Sequence, residues 1–313
     1  MLNNILVLVD GSAAGEAALP YAEALARRSG AVLTLVRAAQ APPVSSDPGP
    51  AQARAIEQAE SYLSTLAAGL TCRGIRVQTG VPYGAAATWI TGEMALRGSD
   101  LIVMATHDRT GPSRWVRGSV AEAVVSQARV PVMVVRAAEG LRPAQGFDQP
   151  RPVLVVPLDG STFAEAALPI ADELARVLDA GLVLVGVVPG PGQLVAAEGA
   201  VVTYVGEDFE RLQAEARTYL AGVASRVGGP ATQVVVRLGD PSAEIAREAA
   251  ERAAAAVIMA THGRTGLVRT LLGSVAGGVL HRGGTPVVLV RPAELRPAQA
   301  PVAGEVDLAT AGA

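Results

Sequence analysis

Short apolar runs alternate along the chain with longer stretches whose apolar positions recur at helical spacing. In the first half the runs are Ile5–Val9, Val32–Val36, Arg76–Thr79, Leu101–Ala105 and Val132–Val135. In the second they are Val153–Leu158, Leu182–Val188, Gln233–Val236, Val257–Ala260 and Val287–Val290. The runs lack strict alternation, which predicts strands buried on both faces, as in a parallel sheet. Between them Ala13–Ser29, Ala53–Ala68, Ala85–Arg97 and Ser119–Gln127 predict helices, with Ser12 and Ser161 at N-cap positions. Alternation of this kind with right-handed crossovers predicts open, doubly wound α/β sheets. The stretches from Pro42 to Pro50 and from Pro189 to Gly206 carry no regular pattern and predict surface loops.

The pattern is written twice. Ile5-Leu-Val-Leu-Val-Asp10-Gly-Ser12 returns as Val153-Leu-Val-Val-Pro-Leu-Asp159-Gly-Ser161. Ala17-Ala-Leu-Pro20 returns as Ala166-Ala-Leu-Pro169, an offset of 149 (166 minus 17). Ile102-Val-Met-Ala-Thr-His107 returns as Val257-Ile-Met-Ala-Thr-His262, an offset of 155 (257 minus 102). The second copy has therefore gained residues in its middle. A period of this size is a whole domain rather than a solenoid unit. The expected organisation is a first domain over 1–137, a linker over 138–151, a second domain over 152–292 and a mobile tail over 293–313.

Composition narrows the chemistry. Of 313 residues half are apolar, 18% are charged and 3% are aromatic, which suits packed cores. A net charge of -3 gives no basic footprint for nucleic acid. Mean hydropathy is +0.33, yet the apolar runs fall well short of the roughly 18 residues that a span needs, so no membrane partner is expected. The start, Met1-Leu2-Asn3-Asn4-Ile5, does not read as a signal peptide, and a cytoplasmic protein is expected. Cys72 is the single cysteine, which excludes an intramolecular disulfide and a thiolate metal cluster. There is no lysine, which excludes Schiff-base chemistry and the P-loop lysine. In Gly273-Ser-Val-Ala-Gly277 the serine sits one place too early for a nucleophile elbow. The dinucleotide glycine fingerprint follows neither first strand.

One segment has the makings of an anion site. Met259-Ala-Thr-His-Gly-Arg-Thr-Gly leaves the fourth strand of the second copy, and the segment ends in Gly273-Ser274-Val275 before a short helical pattern. Ligands of open α/β sheets bind beyond the carboxyl ends of the strands. Glycines let backbone N–H groups approach an anion, and a helix N-terminus adds donors and a favourable dipole. The spacing is Ala260-x-x-Gly263, nine residues, then Gly273-Ser274. It is similar to the Gly-x-x-Gly, nine residues, Gly-(Ser/Thr) pattern of ATP-binding members of the universal stress protein family. The first-strand Asp, the Thr-His-Gly-Arg run containing His262 and Arg264, and the closing Pro-Val-Val-Leu-Val strand add to the resemblance, which covers both copies.

The resemblance implies two tandem five-stranded sheets of Rossmann-like, adenine nucleotide α-hydrolase-like type, each in strand order 3-2-1-4-5. It implies a pseudo-dimer of the two domains through their last strands, Val130–Arg136 and Thr285–Arg291, and a further homodimer. It implies ATP as the ligand, accompanied by Mg²⁺ or Mn²⁺, in a stress-response switch with little hydrolysis and output through an unidentified protein partner. Carried over residue by residue, Asp159 faces the adenine and Val187 offers its backbone to it. Gly263 and Gly273 line the phosphates and Ser274 gives them a hydroxyl. His262, Arg264 and Val275 accompany them, and Ala260 stands where the first glycine belongs.

The first copy departs further. Asp10, Gly118 and Ser119 keep the pattern, but Ala38 stands in the place of Val187 and Asp108 in that of Gly263. A carboxylate about 6 Å from a phosphate charge costs roughly 3 kcal/mol at an effective dielectric near 20. Weak or no ATP binding is expected there. Plainer readings stand beside these. Asp10 and Asp159 could serve only as helix-capping turns and Gly273 only as a tight turn. His107 and His262 could hold their loops by hydrogen bonds, and Arg264 and Arg269 could be solvated surface. The alternative function is an interaction module that binds no nucleotide.

Overall fold

The computed structural model describes residues 2–40, 48–84, 98–107, 119–137, 146–147, 149–188, 190, 194–197, 200–203, 206–227, 231–262 and 272–292. In the first lobe β1 (Asn4–Leu8), β2 (Val32–Val36), β3 (Val77–Gly80), β4 (Leu101–His107) and β5 (Val132–Ala137) are parallel, in the order β3-β2-β1-β4-β5. The second lobe begins with β6 (Val153–Pro157) and β7 (Gly181–Val188), then a separate antiparallel hairpin of β8 (Leu194–Ala197) and β9 (Ala200–Thr203). It continues with β10 (Thr232–Leu238), β11 (Ala256–Ala260) and β12 (Val287–Val290), giving the order β10-β7-β6-β11-β12. Both lobes thus have the order 3-2-1-4-5. β12 and β5 pair antiparallel, with Val287 opposite Val134, so the two sheets form one of ten strands.

Both sheet faces are covered, which explains the missing alternation. Ile5, Val7 and Val9 enter the core on one face, and Leu6 and Leu8 enter it on the other. The first face is packed by α1 (Leu19–Ser29), α2 (Pro48–Cys72), α5 (Leu168–Leu178) and α6 (Gly206–Arg226). The second is packed by α3 (Ser119–Gln127), α7 (Pro241–Glu251) and α8 (Ser274–Arg282). A short helix, α4 (Thr162–Glu165), precedes α5. The core on the first face runs through both lobes: Leu25 and Leu33 belong to the same cluster as Leu174 and Leu184.

Several elements differ from the sequence expectation. The single helix expected over Ala13–Ser29 is a 3-10 turn over Gly15–Ala18 followed by α1. Pro20 and, in the second lobe, Pro169 lie in the first turn of the new helix, where the missing N–H costs nothing. For the same reason Pro48 and Pro50 open α2 instead of lying in a loop. The helix expected over Ala85–Arg97 lies outside the described residues, as does the stretch 41–47. The stretch after β7, expected to be structureless, contains the β8–β9 hairpin, and Gly206 already opens α6. The inserted residues lie between the second strand and the following helix: Gly206 opens α6 at an offset of 158 from Pro48 (206 minus 48), and β10 starts at an offset of 155 from β3 (232 minus 77).

The segment between the lobes is less neutral than its composition suggests. Phe147 is 1% exposed and meets Tyr21 of α1 edge to face at 5.5 Å. Arg28 of α1 donates to the carbonyl of Phe147 at 2.9 Å and to that of Leu178, at the end of α5, at 2.5 Å. A Cβ on Gly146 would lie 2.6 Å from Ala255 Cα, so only glycine fits this approach.

Candidate functional site

The direction of strand progression reverses between the first and fourth strands of each lobe. That is where an open α/β sheet leaves a crevice at its carboxyl edge. The two crevices differ. β1 and β4 pair from Ile5–Leu101 through Leu8–Met104. β6 and β11 pair only at Leu154–Ala256 and Val155–Val257, so the second lobe parts two residues earlier. β4 also stays in the sheet through Thr106 and His107, whereas β11 ends at Ala260.

Asp159 stands just past the carboxyl end of β6. Its Oδ1 accepts from the Ser161 N–H at 3.0 Å and from Ser161 Oγ at 2.6 Å. Ser161 Oγ in turn accepts from the Ala164 N–H at 3.1 Å and caps α4. Gly160 makes the turn at φ +86°, a left-handed conformation that favours glycine. The first lobe repeats this at Asp10, Gly11 and Ser12, with Asp10 Oδ1 accepting from Ser12 at 2.9 and 2.6 Å. The turn thus orients each carboxylate, while the capping itself falls to the serine.

Beside each turn lies a pair that sequence reasoning missed. Tyr62 donates to Glu16 at 2.8 Å, and Tyr219 donates to Glu165 at 2.9 Å. Burial and the bond to the carboxylate push both phenols above the ordinary tyrosine range, so both remain donors at neutral pH. The duplication of Glu16 as Glu165 was readable at the offset of 149. The tyrosines lie beyond the inserted residues and fall out of register.

On the other side of the second crevice, Ala260 closes β11 in regular register with Val290. Its φ is not positive, so the methyl group there is tolerated. Thr261 and His262 follow, both buried, with His262 Nδ1 3.1 Å from Thr261 Oγ1. The Gly273 N–H donates to the Thr261 carbonyl at 2.8 Å. A Cβ on Gly273 would lie 3.0 Å from that oxygen and 3.6 Å from His262 Cα. Any side chain here would have to displace its neighbours by a few tenths of an ångström, so glycine suits the close approach although φ is an ordinary -62°. The contact pins the start of α8 to the end of β11. Gly273 is the N-cap of α8 without a side-chain cap, Ser274 is the first helical residue, and Val275 packs against the core. First-turn N–H groups, a hydroxyl and the positive end of a helix dipole therefore meet at one place.

The structure brings Asp159, Ala260, His262, Gly273, Ser274 and Val275 to the carboxyl edge of the second lobe, and Val187 lies near the end of β7. Gly263 and Arg264 lie outside the described residues, as do Arg269, Asp108 and Gly118. In the first lobe Asp10 follows β1, Ala38 follows β2 and Ser119 opens α3, in the place that Ser274 takes in α8. His281 is in the last turn of α8, and Cys72 is exposed at the end of α2. A groove of about 720 Å³ is lined by Glu16, Glu57, Tyr62 and Leu66 among others, and by none of the second-crevice residues. Among the described residues no group of three or more His, Cys, Asp or Glu could hold a metal ion, and no helix is long and apolar enough to cross a membrane.

Fold and site together define a tandem, doubly wound α/β protein whose second lobe has a crevice between a turn-held carboxylate and a helix N-terminus. Comparison with known proteins gives the family. The sequence profile of the universal stress protein family matches residues 1–136 and 151–291, and the chain belongs to that family. A universal stress protein of Mycobacterium tuberculosis is 32% identical over 202 residues, covering 62% of this chain and 62% of the relative. One from Mycolicibacterium smegmatis is 28% identical over 303 residues, covering 92% of this chain and 97% of the relative. A crystal structure of a universal stress protein from Archaeoglobus fulgidus shares the fold with a TM-score of 0.65 at 20% identity, covering 93% of this chain and 97% of that one.

Proposed function

We propose that the second lobe binds ATP or a related adenine nucleotide and that the protein acts as a stress-response regulator or switch rather than as a catalyst. The observation that carries this is the pinned helix start. Gly273 closes onto Thr261 and leaves the first turn of α8 without a side-chain cap, at the mouth of a crevice that parts earlier than its counterpart. Phosphates placed there would accept from the N–H groups of that turn and from Ser274, with the dipole in their favour. Asp159 would accept from the adenine amino group, and Val187 would offer its backbone. Gly263 and Arg264 would complete the phosphate side, and Mg²⁺ or Mn²⁺ would be bound through the nucleotide. The protein's units would be 1–137 and 152–292, forming a pseudo-dimer around the β5–β12 seam, with a homodimer of chains and a protein partner beyond it.

The test is calorimetric titration with ATP-Mg. Wild type is expected to bind, and Gly273→Val is expected to weaken binding by at least about tenfold, or 1.4 kcal/mol. The branched side chain would push α8 away from Thr261. Unchanged affinity in Gly273→Val would remove the phosphates from the α8 terminus.

A further inference from the structure

Arg37 marks a large difference in side-chain bulk between the two copies, since its counterpart at the offset of 149 is Gly186. It follows β2 directly and precedes Ala38, the residue matched to the backbone contact of Val187. Its guanidinium folds back over the carboxyl end of β1. A Cβ on Gly11 would lie 2.8 Å from Arg37 Cζ, 2.9 Å from Nη2 and 3.0 Å from Nη1, so the group rests against the residue that follows Asp10. On its other side Cζ is 4.7 Å from the centre of the Tyr62 ring, a cation–π contact. The guanidinium is therefore held between the Asp10 turn and the ring, beside both positions matched to base contacts in this lobe.

The second lobe keeps the same surroundings without this side chain. The Asp159 turn reproduces the Asp10 turn, and Tyr219–Glu165 reproduces Tyr62–Glu16. At the offset of 149 the place of Arg37 is taken by Gly186, whose missing Cβ would meet Leu220 Cδ1 at 3.1 Å. That glycine brings α6 close to the sheet and leaves the space above Gly160 without an arginine from β7.

We infer that Arg37 is a built-in plug of the first lobe: its guanidinium takes the space that a nucleobase would occupy beside Asp10 and excludes the base. With Arg37 at the base position, and with Asp108 standing in the sequence where the phosphate-loop glycine belongs, the chain holds one nucleotide rather than two. This rests on the nucleotide reading of the second lobe. A planar cation stacked on Tyr62 and lying against the Asp10 turn satisfies the lobe without ligand, so closure needs no conformational change.

The test counts ATP bound per chain at saturation, by equilibrium dialysis with ATP-Mg, in wild type, Asp108→Gly and Asp108→Gly/Arg37→Gly. One, one and two are expected. Arg37→Ala in the Asp108→Gly background should also give two, which guards against a folding defect peculiar to the glycine variant. Two per chain in Asp108→Gly alone overturns the plug, because Arg37 would then be no obstacle. One per chain in all variants also overturns it while leaving the second-lobe site in place. None in any variant removes the nucleotide reading and the plug with it.

Discussion

Phe147→Ala is expected to lower the free energy of unfolding by about 3–5 kcal/mol, the range found for truncating a buried phenylalanine. Phe147 is 1% exposed, belongs to the core that spans both lobes, and packs against Tyr21 of the first lobe. Its carbonyl accepts from Arg28, which also holds the Leu178 carbonyl of the second. Truncation leaves a cavity beside Tyr21 of α1, in a core to which both lobes contribute. Urea denaturation followed by circular dichroism checks the size of the effect. A loss below about 1 kcal/mol would mean that the site collapses and that Phe147 is not a wedge between lobes.

The second large effect lies at the outer edge of the second lobe. Glu248 of α7 is 1% exposed and accepts from Arg237 Nε at 2.6 Å and Arg252 Nε at 2.5 Å. Arg237 also pairs with Glu251, and Arg252 donates to Gln233 at 2.7 Å. Burial alone would push the Glu248 carboxyl upward, but the bonds from Arg252 and Arg237 outweigh it and hold the group below the usual glutamate range. Glu248→Gln keeps the shape and removes the charge that both arginines face. A loss of about 2–3 kcal/mol at neutral pH is expected, at the lower end for a broken buried pair because the arginines are partly exposed. The sign of the pH dependence follows from the lowered value. The stabilisation is complete above the unfolded glutamate pKa, near 4.3, and is lost as pH falls through the lower folded value. The stability gap between wild type and variant should therefore be constant from about pH 7 to pH 5 and close below about pH 4. A gap that stays open in acid would contradict a charge-based clamp.

What could be read from the chain, and what could not, separates along physical lines. The ten sheet strands were legible because residues such as Leu6, Val7 and Leu8 are apolar without a break, and burial on both faces demands that. Helix starts were misplaced at Pro20 and Pro48, since proline is costly inside a helix but welcome in its first turn. The β8–β9 hairpin was lost in a glycine-rich connection. Phe147 is a lone aromatic among polar residues, and no periodicity marks it as core. On the candidate site, spacing marked Gly273 and Ser274 and the family resemblance marked Asp159, and all three lie at the carboxyl edge of the second lobe. Arg37 and the tyrosine–glutamate pairs escaped, because the direction of a side chain across neighbouring elements is set by packing and not by local sequence.

The most direct test of the account is the nucleotide content of the chain itself. Protein purified without added ligand, loaded with excess ATP-Mg and passed through a desalting column, is denatured and the released nucleotide measured against protein. About one ATP per chain is expected from one competent crevice, and its loss in Gly263→Asp would place that nucleotide in the second lobe. Two per chain would contradict the closure of the first lobe, and none at millimolar ATP would contradict nucleotide binding altogether.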